Sequence, residues 1–286
     1  IIYIYIYLYI MGCYRKETIH YKYGLFDTMI DAVYVLTMED STRRNDYMYQ
    51  LEMFKPCPKV HIMHNKGYNK CEKKLCDKDN CFRVDISYKD ITHAYMNTFK
   101  DAKKNNYKNI LILEDDFIFS SQIKNQDTIF QIETFLKSIQ NTNAVYHLGT
   151  IPIVSTYYGN HRKIIASIGC HAVFYNTKSM ETLLNNEINI HDFDMALFKY
   201  LTRYCYNEPL AYQTFDETDN NSNWGKFLFL LGDILRYFTV SILKLLHLDK
   251  KVEPGTSRIY NFNKFVYDLL IPYFIFYFIL NKYILK

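Results

Sequence analysis

The stretch that decides the fold is NILILEDDFIF, residues 109–119. Residues 110–113 form an unbroken apolar run, which is typical of a β-strand buried on both faces. Three acids, Glu114, Asp115 and Asp116, follow this run directly. Adjacent carboxylates repel one another, and burial raises that cost, so the triplet needs a cation or a positively charged ligand. Side chains alternate along an extended chain, so Glu114 and Asp116 are predicted to face one side and Asp115 the other.

A pair of carboxylates at a strand end is suited to a hard divalent cation, because Mg²⁺ and Mn²⁺ prefer oxygen ligands. A cation held there would neutralise a diphosphate and stabilise it as a leaving group. The alternative is a solvated strand end whose acids only cap the next element. The triplet by itself does not decide between these two interpretations.

Predicted strands and helices alternate on both sides of the triplet. Residues 31–38, 59–63 and 144–150 have strand patterns, while residues 87–106 and 127–140 have helical spacing. A further helix is predicted to run up to residue 54, with Asp40 or Ser41 as its cap. This alternation predicts an open α/β sheet with parallel strands, which binds ligands beyond the carboxyl ends of its strands.

The second half of the chain has a more mixed pattern. Residues 169–186 predict a strand and then a helix that begins near Thr177. Residues 191–204 predict a helix opened by acidic residues, and LAYQTF (210–215) predicts a short strand. Residues 224–286 predict an amphipathic and hydrophobic helical tail. The unbroken apolar core within residues 265–285 is shorter than the roughly 20 residues a spanning helix needs, so a membrane-surface helix, a packed helix and a span all stay open.

The composition is that of a globular protein. The chain has 286 residues, of which 49% are hydrophobic and 22% charged, with a formal net charge of +4. This balance gives no sign of nucleic-acid binding. The 28 Tyr and 20 Phe residues fit an AT-rich genome, such as that of a large DNA virus. The alternating IIYIYIYLYI of residues 1–10 is therefore interpreted as upstream read-through or a short apolar segment. A signal peptide is the rival interpretation, but no positive charge precedes the run.

The cysteines predict a loop rather than a metal site. Of seven cysteines, Cys71, Cys76 and Cys81 are spaced five apart, without the CxxC pairs of a zinc site. A polar surface loop with room for one disulfide is expected, and the scattered remaining cysteines suit a reducing compartment. The expected location is cytoplasmic or membrane-associated, possible in an infected host cell, with the secretory pathway disfavoured.

Five segments in fixed order carry a family resemblance. They are AVYVLTMEDSTRR (32–44), NILILEDDFIF (109–119), VYHLGT (145–150), IGCHAVFYNTKSMETLL (168–184) and HDFDMALF (191–198). Across residues 31–215 this order resembles glycosyltransferase family 25, which includes lipopolysaccharide and collagen galactosyltransferases. The Cys-containing loop and the tail beyond Trp224 fall outside the resemblance.

The resemblance implies a GT-A-like fold in residues 28–220, with a mostly parallel open sheet and flanking helices, followed by the tail. It implies a nucleotide-sugar donor such as UDP-galactose or another UDP-hexose, held with Mn²⁺ or Mg²⁺. The acceptor would be a hydroxyl group on a glycan or a protein, and transfer would invert the anomeric configuration. The tail is expected to offer a membrane-surface contact.

The resemblance also implies roles for particular side chains. Glu114 and Asp116 are the expected metal ligands, and Asp192 and Asp194 are the candidates for general base or acceptor contact. The expected donor-binding residues are Thr37, Arg43, Arg44, Asp115 and His171.

Each of these assignments has a structural alternative. Arg43 and Arg44 fit a charged helix face equally well, Asp192 and Asp194 fit acids at a helix N-terminus, and His171 fits a buried core histidine. His191 is a further possible metal ligand. The competing functions are a metal-dependent phosphohydrolase or nucleotidyltransferase that uses the same acids, and a non-catalytic sugar- or nucleotide-binding protein. The absence of GxxxxGK[ST] and GxSxG patterns disfavours P-loop and serine-hydrolase chemistry.

Overall fold

The predicted buried strand is β7, Asn109–Glu114, and it lies inside an eight-stranded sheet. Its four apolar residues are fully buried, as the unbroken apolar run predicts. The structure is a computed structural model. It describes residues 7–76, 80–214, 254–266 and 270–274, together with four single positions between 237 and 245.

The sheet is mixed, with a parallel centre. Its strands, in spatial order, are β1 (Tyr7–Met11), β2 (Tyr14–His20), β4 (Lys59–Asn65), β3 (Ala32–Met38), β7, β10 (His161–Asn176), β11 (Thr202–Tyr206) and β9 (Ala144–Tyr158), with β10 also pairing with β9. β3 pairs in parallel with both β4 and β7. The α/β class is therefore confirmed, and the carboxyl ends of β3, β4 and β7 lie along one edge.

The expected mostly parallel sheet is departed from at β10, which runs antiparallel to both β7 and β9. β9 and β10 form one long hairpin around a two-residue Gly159–Asn160 turn, in which Gly159 has φ +66°. That dipeptide is a hairpin turn signal. The return arm of the hairpin inserts beside β7, so the second half of the chain adds a strand of opposite direction. β2 is likewise antiparallel to β4.

Helices cover both faces of the sheet. They are α1 (Arg44–Phe54), α2 (Ser87–Lys104), α3 (Gln126–Ile139), α4 (Thr177–Leu184) and α5 (Phe193–Tyr200). One core cluster lies under α1 and α3, and the other lies under α2, α4 and α5. The helices predicted before and after the triplet are confirmed for α1 to α4.

Two details of the predicted helices are wrong. The helix predicted over residues 191–204 ends at Tyr200, and residues 202–206 form β11, in which buried and half-buried positions alternate. The predicted capping of α1 by Asp40 or Ser41 also fails. Arg43 is the N-cap residue and no side chain caps the helix. The Ser41 hydroxyl is used elsewhere, as described below.

The N-terminal hairpin extends the sheet beyond β4. β1 pairs with β2 over five residue pairs, so residues 7–10 of the segment interpreted as read-through lie in a strand that ends at Met11. The rest of that segment, residues 1–6, lies outside the described residues. β2 pairs with β4 over seven residue pairs, so these residues, which precede the predicted domain start at residue 28, take part in the main sheet.

The cysteines form two disulfides, Cys13–Cys71 and Cys76–Cys81. The second joins β5 (Lys74–Cys76) to β6 (Cys81–Arg83), as expected for one disulfide in the loop. The first is a correction, because Cys13 is one of the scattered cysteines outside the loop, for which no disulfide is predicted. Proteins that fold in an oxidising compartment commonly carry such bridges, so the argument for a reducing compartment no longer holds.

Part of the predicted tail packs against the sheet. Helix α6, Pro254–Phe265, buries Tyr260 and Asn263. Asn263 Nδ2 donates a hydrogen bond to the Pro152 carbonyl at 2.7 Å. Most of residues 224–286, including most of the apolar stretch at 265–285, lies outside the described residues. Among the helices that the structure does describe, none has both the length and the apolar character needed to cross a bilayer.

Candidate active site

The three acids lie at the carboxyl edge of the sheet, where the chain turns immediately after β7. β7 ends at Glu114, and residues 115 and 116 form a turn. Strand alternation applies only to extended chain, so at this turn it does not by itself set the direction of the Asp116 side chain. Each of the three carboxylates has its own set of partners.

Asp115 binds the loop that follows β3. Its Oδ2 accepts hydrogen bonds from the hydroxyls of Thr37 and Ser41, each at 2.7 Å, and its Oδ1 accepts one from Arg43 Nη1 at 3.0 Å. Ser41 Oγ also accepts from the Arg43 backbone N–H. The structure therefore brings together Thr37, Arg43 and Asp115, three of the expected donor-binding residues. Asp115 is occupied by this loop and fixes its conformation at the sheet edge.

Asp116 is almost completely buried beside a second, two-stranded sheet. β8 (Phe117–Phe119) pairs with β12 (Ala211–Gln213). Gln213 Nε2 donates to Asp116 Oδ2 at 2.9 Å, and Thr214 N donates to the Asp116 carbonyl at 2.8 Å. Arg43 Nη1 lies 4.0 Å from the same Oδ2. The other oxygen, Oδ1, is buried and has no hydrogen-bond partner.

Glu114 is half-buried, and Tyr95 of α2 donates a hydrogen bond to its Oε1 at 2.8 Å. Burial raises the pKa of Glu114, and the neighbouring carboxylates of Asp116 and Asp194 raise it further. Burial also raises the pKa of Asp116, which the hydrogen bond from Gln213 opposes only in part. Two neighbouring acids with raised pKa values are poised to lose protons to a bound cation.

Asp194 reaches the same edge from the second half of the chain. The Cys170 thiol donates to its Oδ1 at 2.6 Å, and the Gly169 backbone N–H points to its Oδ2 at 3.4 Å. Burial raises the pKa of Asp194, while the Cys170 hydrogen bond lowers it. Cys170 and Gly169 shield the carboxyl group, while the residue as a whole is exposed to solvent. An acid that solvent can reach and that has a raised pKa is suited to accept a proton from a substrate.

The partners of Asp192, Arg44 and His191 indicate structural roles. Asp192 is the N-cap of α5 and accepts the Met195 N–H at 3.0 Å. Arg44 binds Glu17 at 2.8 Å, not the triplet. The His191 ring packs edge-on against Phe82. For Asp192 and Arg44 the contacts match the structural alternatives, a helix-capping acid and a charge on the helix surface.

His171 is a buried, neutral ring behind the site. Its exposed fraction is 1%, and burial lowers its pKa to about 4. Its Nε2 lies 3.4 Å from the Ala211 carbonyl, and its Nδ1 has no hydrogen-bond partner. A Cβ on Gly149 would lie 2.1 Å from that Nε2, so only glycine fits there. This packing explains the leucine–glycine end of the segment VYHLGT, and it matches the core-histidine alternative.

The residues present fit a divalent cation at Glu114 and Asp116. The buried, unpartnered Oδ1 of Asp116 and the raised pKa values of both acids are what an uncompensated cation site shows. Within the described residues, no group of three or more His, Cys, Asp or Glu side chains is arranged to hold a metal alone. Mg²⁺ in nucleotide sites is commonly bound through one or two carboxylates together with substrate phosphates.

Several site residues gave no usable signal in the sequence. Tyr95 looked like one apolar position of a helix, and Gln213 stood inside a short strand. Cys170 and Gly169 lay inside the quoted segment IGCHAVFY, but their contacts depend on an irregularity in β10 between residues 168 and 172. Gly169 has φ +88°, a left-handed conformation that favours glycine. Of these residues, only the glycine at position 169 could have suggested from the sequence that the strand bends there.

Two concave regions of the described chain contain none of these residues. A groove of about 430 Å³ lies between α3 and the β9–β10 turn, and one of about 110 Å³ lies between α3 and the segment before β3.

Comparison with known proteins gives no further guidance. No protein-family model matches the chain, and a search of curated proteins finds no significant match.

Proposed function

We propose that the chain is a metal-dependent glycosyltransferase that moves a hexose from a UDP-sugar to a hydroxyl acceptor. One observation carries the proposal: the five segments of the family resemblance meet at one edge of the sheet. The loop after β3 binds Asp115, Gly149 accommodates His171, and Cys170 binds Asp194. Segments more than 150 residues apart thus build one acidic site. In α/β sheets ligands bind at this edge.

The fold is compatible with the GT-A-like architecture that we propose for residues 28–220. A parallel β4–β3–β7 unit precedes the acids, and a hairpin-based second half supplies Asp194. The first half would hold the nucleotide and the second the acceptor. Membership in glycosyltransferase family 25 is the corresponding family proposal, and it rests on the order of the five segments.

The donor would be held by the acids and the loop after β3. Glu114 and Asp116 would hold Mn²⁺ or Mg²⁺, which when bound supplies positive charge for the diphosphate of the leaving UDP. Arg43 lies between Asp115 and Asp116, and its guanidinium suits a phosphate oxygen. Thr37 and Asp115 fix the loop that carries it. Arg44, bound to Glu17, supports α1 rather than the donor.

The acceptor side would use Asp194 as general base. In an inverting transfer, the acceptor oxygen attacks the anomeric carbon while the bond from that carbon to the UDP oxygen breaks. The acceptor hydroxyl proton passes to the Asp194 carboxylate. A raised pKa makes that carboxylate a stronger base once it has lost its own proton. The acceptor would be a glycan or protein hydroxyl, and the tail at residues 224–286 would make the proposed membrane-surface contact.

The test is donor hydrolysis by the purified full chain, because water can replace the acceptor. A panel of UDP-sugars is incubated with and without Mn²⁺, alongside Asp116→Ala. Asp127→Asn is the matched control, since Asp127 is an exposed acid on α3. The expected result is Mn²⁺-dependent release of UDP from one sugar, lost in Asp116→Ala and retained in Asp127→Asn. No release together with no Mn²⁺-dependent UDP binding would overturn the proposal.

The products of the same assay separate transfer from phosphohydrolysis. Cleavage between sugar and phosphate yields UDP and free hexose, as a glycosyltransferase produces when water is the acceptor. Cleavage inside the diphosphate yields UMP and hexose 1-phosphate, which would instead identify a phosphohydrolase that uses the same acids. Binding of UDP and Mn²⁺ without either cleavage, with sugar acceptors also present, would identify a non-catalytic binding protein.

A further inference from the structure

We propose that the Cys170 thiol, together with the Gly169 N–H, positions Asp194 for its role as general base. The inference deepens the proposed function and rests on it. The two donors belong to consecutive residues and donate to different oxygens of the Asp194 carboxylate. The distance from Cys170 Sγ to Oδ1 is 2.6 Å, and that from Gly169 N to Oδ2 is 3.4 Å. A carboxylate held through both oxygens loses its freedom to rotate about the Cβ–Cγ bond.

The backbone of β10 is shaped to make these contacts. The pairing of β10 with β9 shifts register between Ile168 and Ala172, so Gly169 and Cys170 leave the regular ladder. Gly169 adopts φ +88°, and a Cβ there would lie 3.3 Å from the Gln213 side chain and from the His171 ring. The bulge thereby places one thiol and one N–H toward α5. Such irregularities commonly re-aim side chains next to active sites.

The helix that carries Asp194 is fixed to the same place. Phe193 stacks on Tyr95, with ring centroids 3.7 Å apart and planes 12° from parallel. The Tyr95 hydroxyl lies 2.8 Å from Glu114 Oε1 and 3.1 Å from the Cys170 carbonyl. One tyrosine therefore ties together a proposed metal ligand, the residue before Asp194 and the backbone of Cys170. This arrangement sets the distance between the donor and acceptor halves of the site.

A thiol suits this position chemically. Burial raises the pKa of the Cys170 thiol, so it stays protonated and donates. A neutral thiol is a weak donor, so it orients a carboxylate while reducing its basicity less than a hydroxyl would. Within the described residues, the other charged or titratable groups around Asp194 include the acids Asp192 and Glu114, the Tyr175 hydroxyl and the buried guanidinium of Arg203. Among these titratable groups, the Cys170 thiol is the one that makes a hydrogen bond to the Asp194 carboxylate.

The contact is tested first by infrared spectroscopy on the full chain, independently of activity. The described residues include three free thiols, at Cys57, Cys170 and Cys205. The difference spectrum between the unmodified protein and Cys170→Ser isolates the S–H stretch of Cys170. In Asp194→Ala this band is expected at higher frequency, because the hydrogen bond is lost. An unchanged band would overturn the positioning role, whatever the enzyme does.

The kinetic test uses donor hydrolysis or transfer at saturating Mn²⁺. Cys170→Ala is expected to lower kcat by about tenfold or more, because a misplaced base loses near-attack geometry. The KM for the UDP-sugar should stay within about twofold, since the donor contacts lie elsewhere. Cys170→Ser should restore most of kcat. Cys205→Ala is the matched control, since it removes another buried thiol.

The pH profile separates positioning from a purely structural effect. Removal of a hydrogen bond to the carboxylate should move the acid limb of kcat to higher pH in Cys170→Ala. A loss of folded protein would lower kcat without moving that limb. The proposal would be overturned if Cys170→Ala had the same kcat as the unmodified protein. It would also be overturned if the acid limb of its pH profile stayed at the same pH. An unmodified protein that binds Mn²⁺ and UDP but transfers nothing would instead overturn the proposed function, and the base role with it, even with the infrared shift present.

Discussion

The carboxylate of Glu17 on β2 and those at the end of β7 belong to the same sheet, with β4 and β3 between them, and their electrostatics are opposite. Glu17 of β2 accepts hydrogen bonds from His64 at 3.0 Å and from Arg44 at 2.8 Å. The hydrogen bond from His64, helped by Arg44, lowers the pKa of Glu17 to about 2 against the opposing effect of burial. At the end of β7, burial and mutual repulsion instead raise the pKa values of Glu114 and Asp116.

The difference separates acids that stabilise the fold from acids retained for chemistry. A paired carboxylate with a lowered pKa contributes stability at neutral pH, while a buried one with a raised pKa reduces it. The adjacent arginines show the same division, since Arg44 turns to Glu17 and Arg43 to the triplet. Strongly perturbed acids that lack compensating charge concentrate at functional sites. The triplet edge is therefore the region where substitution should harm activity more than stability.

The largest expected effect is that of Asp116→Asn on turnover. Mn²⁺-dependent donor hydrolysis should fall by about 100-fold or more, because a metal ligand contributes several kcal/mol to the transition state. The free energy of unfolding in urea should stay the same or rise, since the variant removes a repulsive buried charge. A variant that unfolds more easily, in proportion to its loss of activity, would place Asp116 with the stabilising acids instead.

Glu17→Gln is the reverse experiment. It leaves His64 and Arg44 without their carboxylate, and breaking a buried, hydrogen-bonded pair of this kind is expected to cost about 2–3 kcal/mol of unfolding free energy. Turnover per folded molecule should stay within about threefold of the unmodified enzyme, because Glu17 does not contact the triplet. Urea denaturation and active-site titration of the same samples measure both quantities. A greater loss of turnover than of stability would contradict the division.

Asp115→Asn tests an acid between the two classes. Asp115 belongs to the triplet by sequence, but it accepts three side-chain hydrogen bonds from the loop after β3. Loss of its charge should cost about 1–2 kcal/mol of stability, through weaker bonds to Arg43 and the two hydroxyls. The KM for the UDP-sugar should rise as the loop loosens. The neighbouring Asp116→Asn, with the same chemical change, is the matched control. Equal stability in both variants would contradict the distinction between adjacent acids.

The contrast between Asp115 and Asp116 also shows what sequence can and cannot predict. The apolar run of residues 110–113 determined the buried strand, and the acids after it marked the correct edge of the sheet. Their separate partners depend on a turn at residue 115 and on side chains from α2, β12 and the loop after β3. Such contacts join positions up to 97 residues apart, so no local pattern encodes them. The antiparallel insertion of β10 beside β7 was missed for the same reason, because that pairing joins residues distant in sequence, such as Ala172 and Leu113.

The smallest expected effect is the pH dependence of stabilisation by Mn²⁺. The raised pKa values of Glu114 and Asp116 mean that the folded chain keeps protons which the unfolded chain releases, so this pair reduces stability as pH rises toward neutrality. Bound Mn²⁺ offsets that loss only where the carboxylates are ionised. The increase in thermal midpoint should therefore be larger at about pH 7.5 than at about pH 5.5, where protons compete with the metal.

The stabilisation by Mn²⁺ is modest, and it can be separated experimentally from the contribution of Glu17. A tenfold excess of Mn²⁺ over its Kd corresponds to about 1.4 kcal/mol of stabilisation. Glu17 contributes with the opposite sign, because its lowered pKa gives stability that is complete above pH 4.5 and is lost as pH falls toward about 2. Asp116→Asn should abolish the Mn²⁺ increment and leave this acid limb unchanged, whereas Glu17→Gln should remove the acid limb and keep the increment. If one substitution altered both, the two groups of acids would form a single coupled network, and the division between stabilising and functional acids would fail.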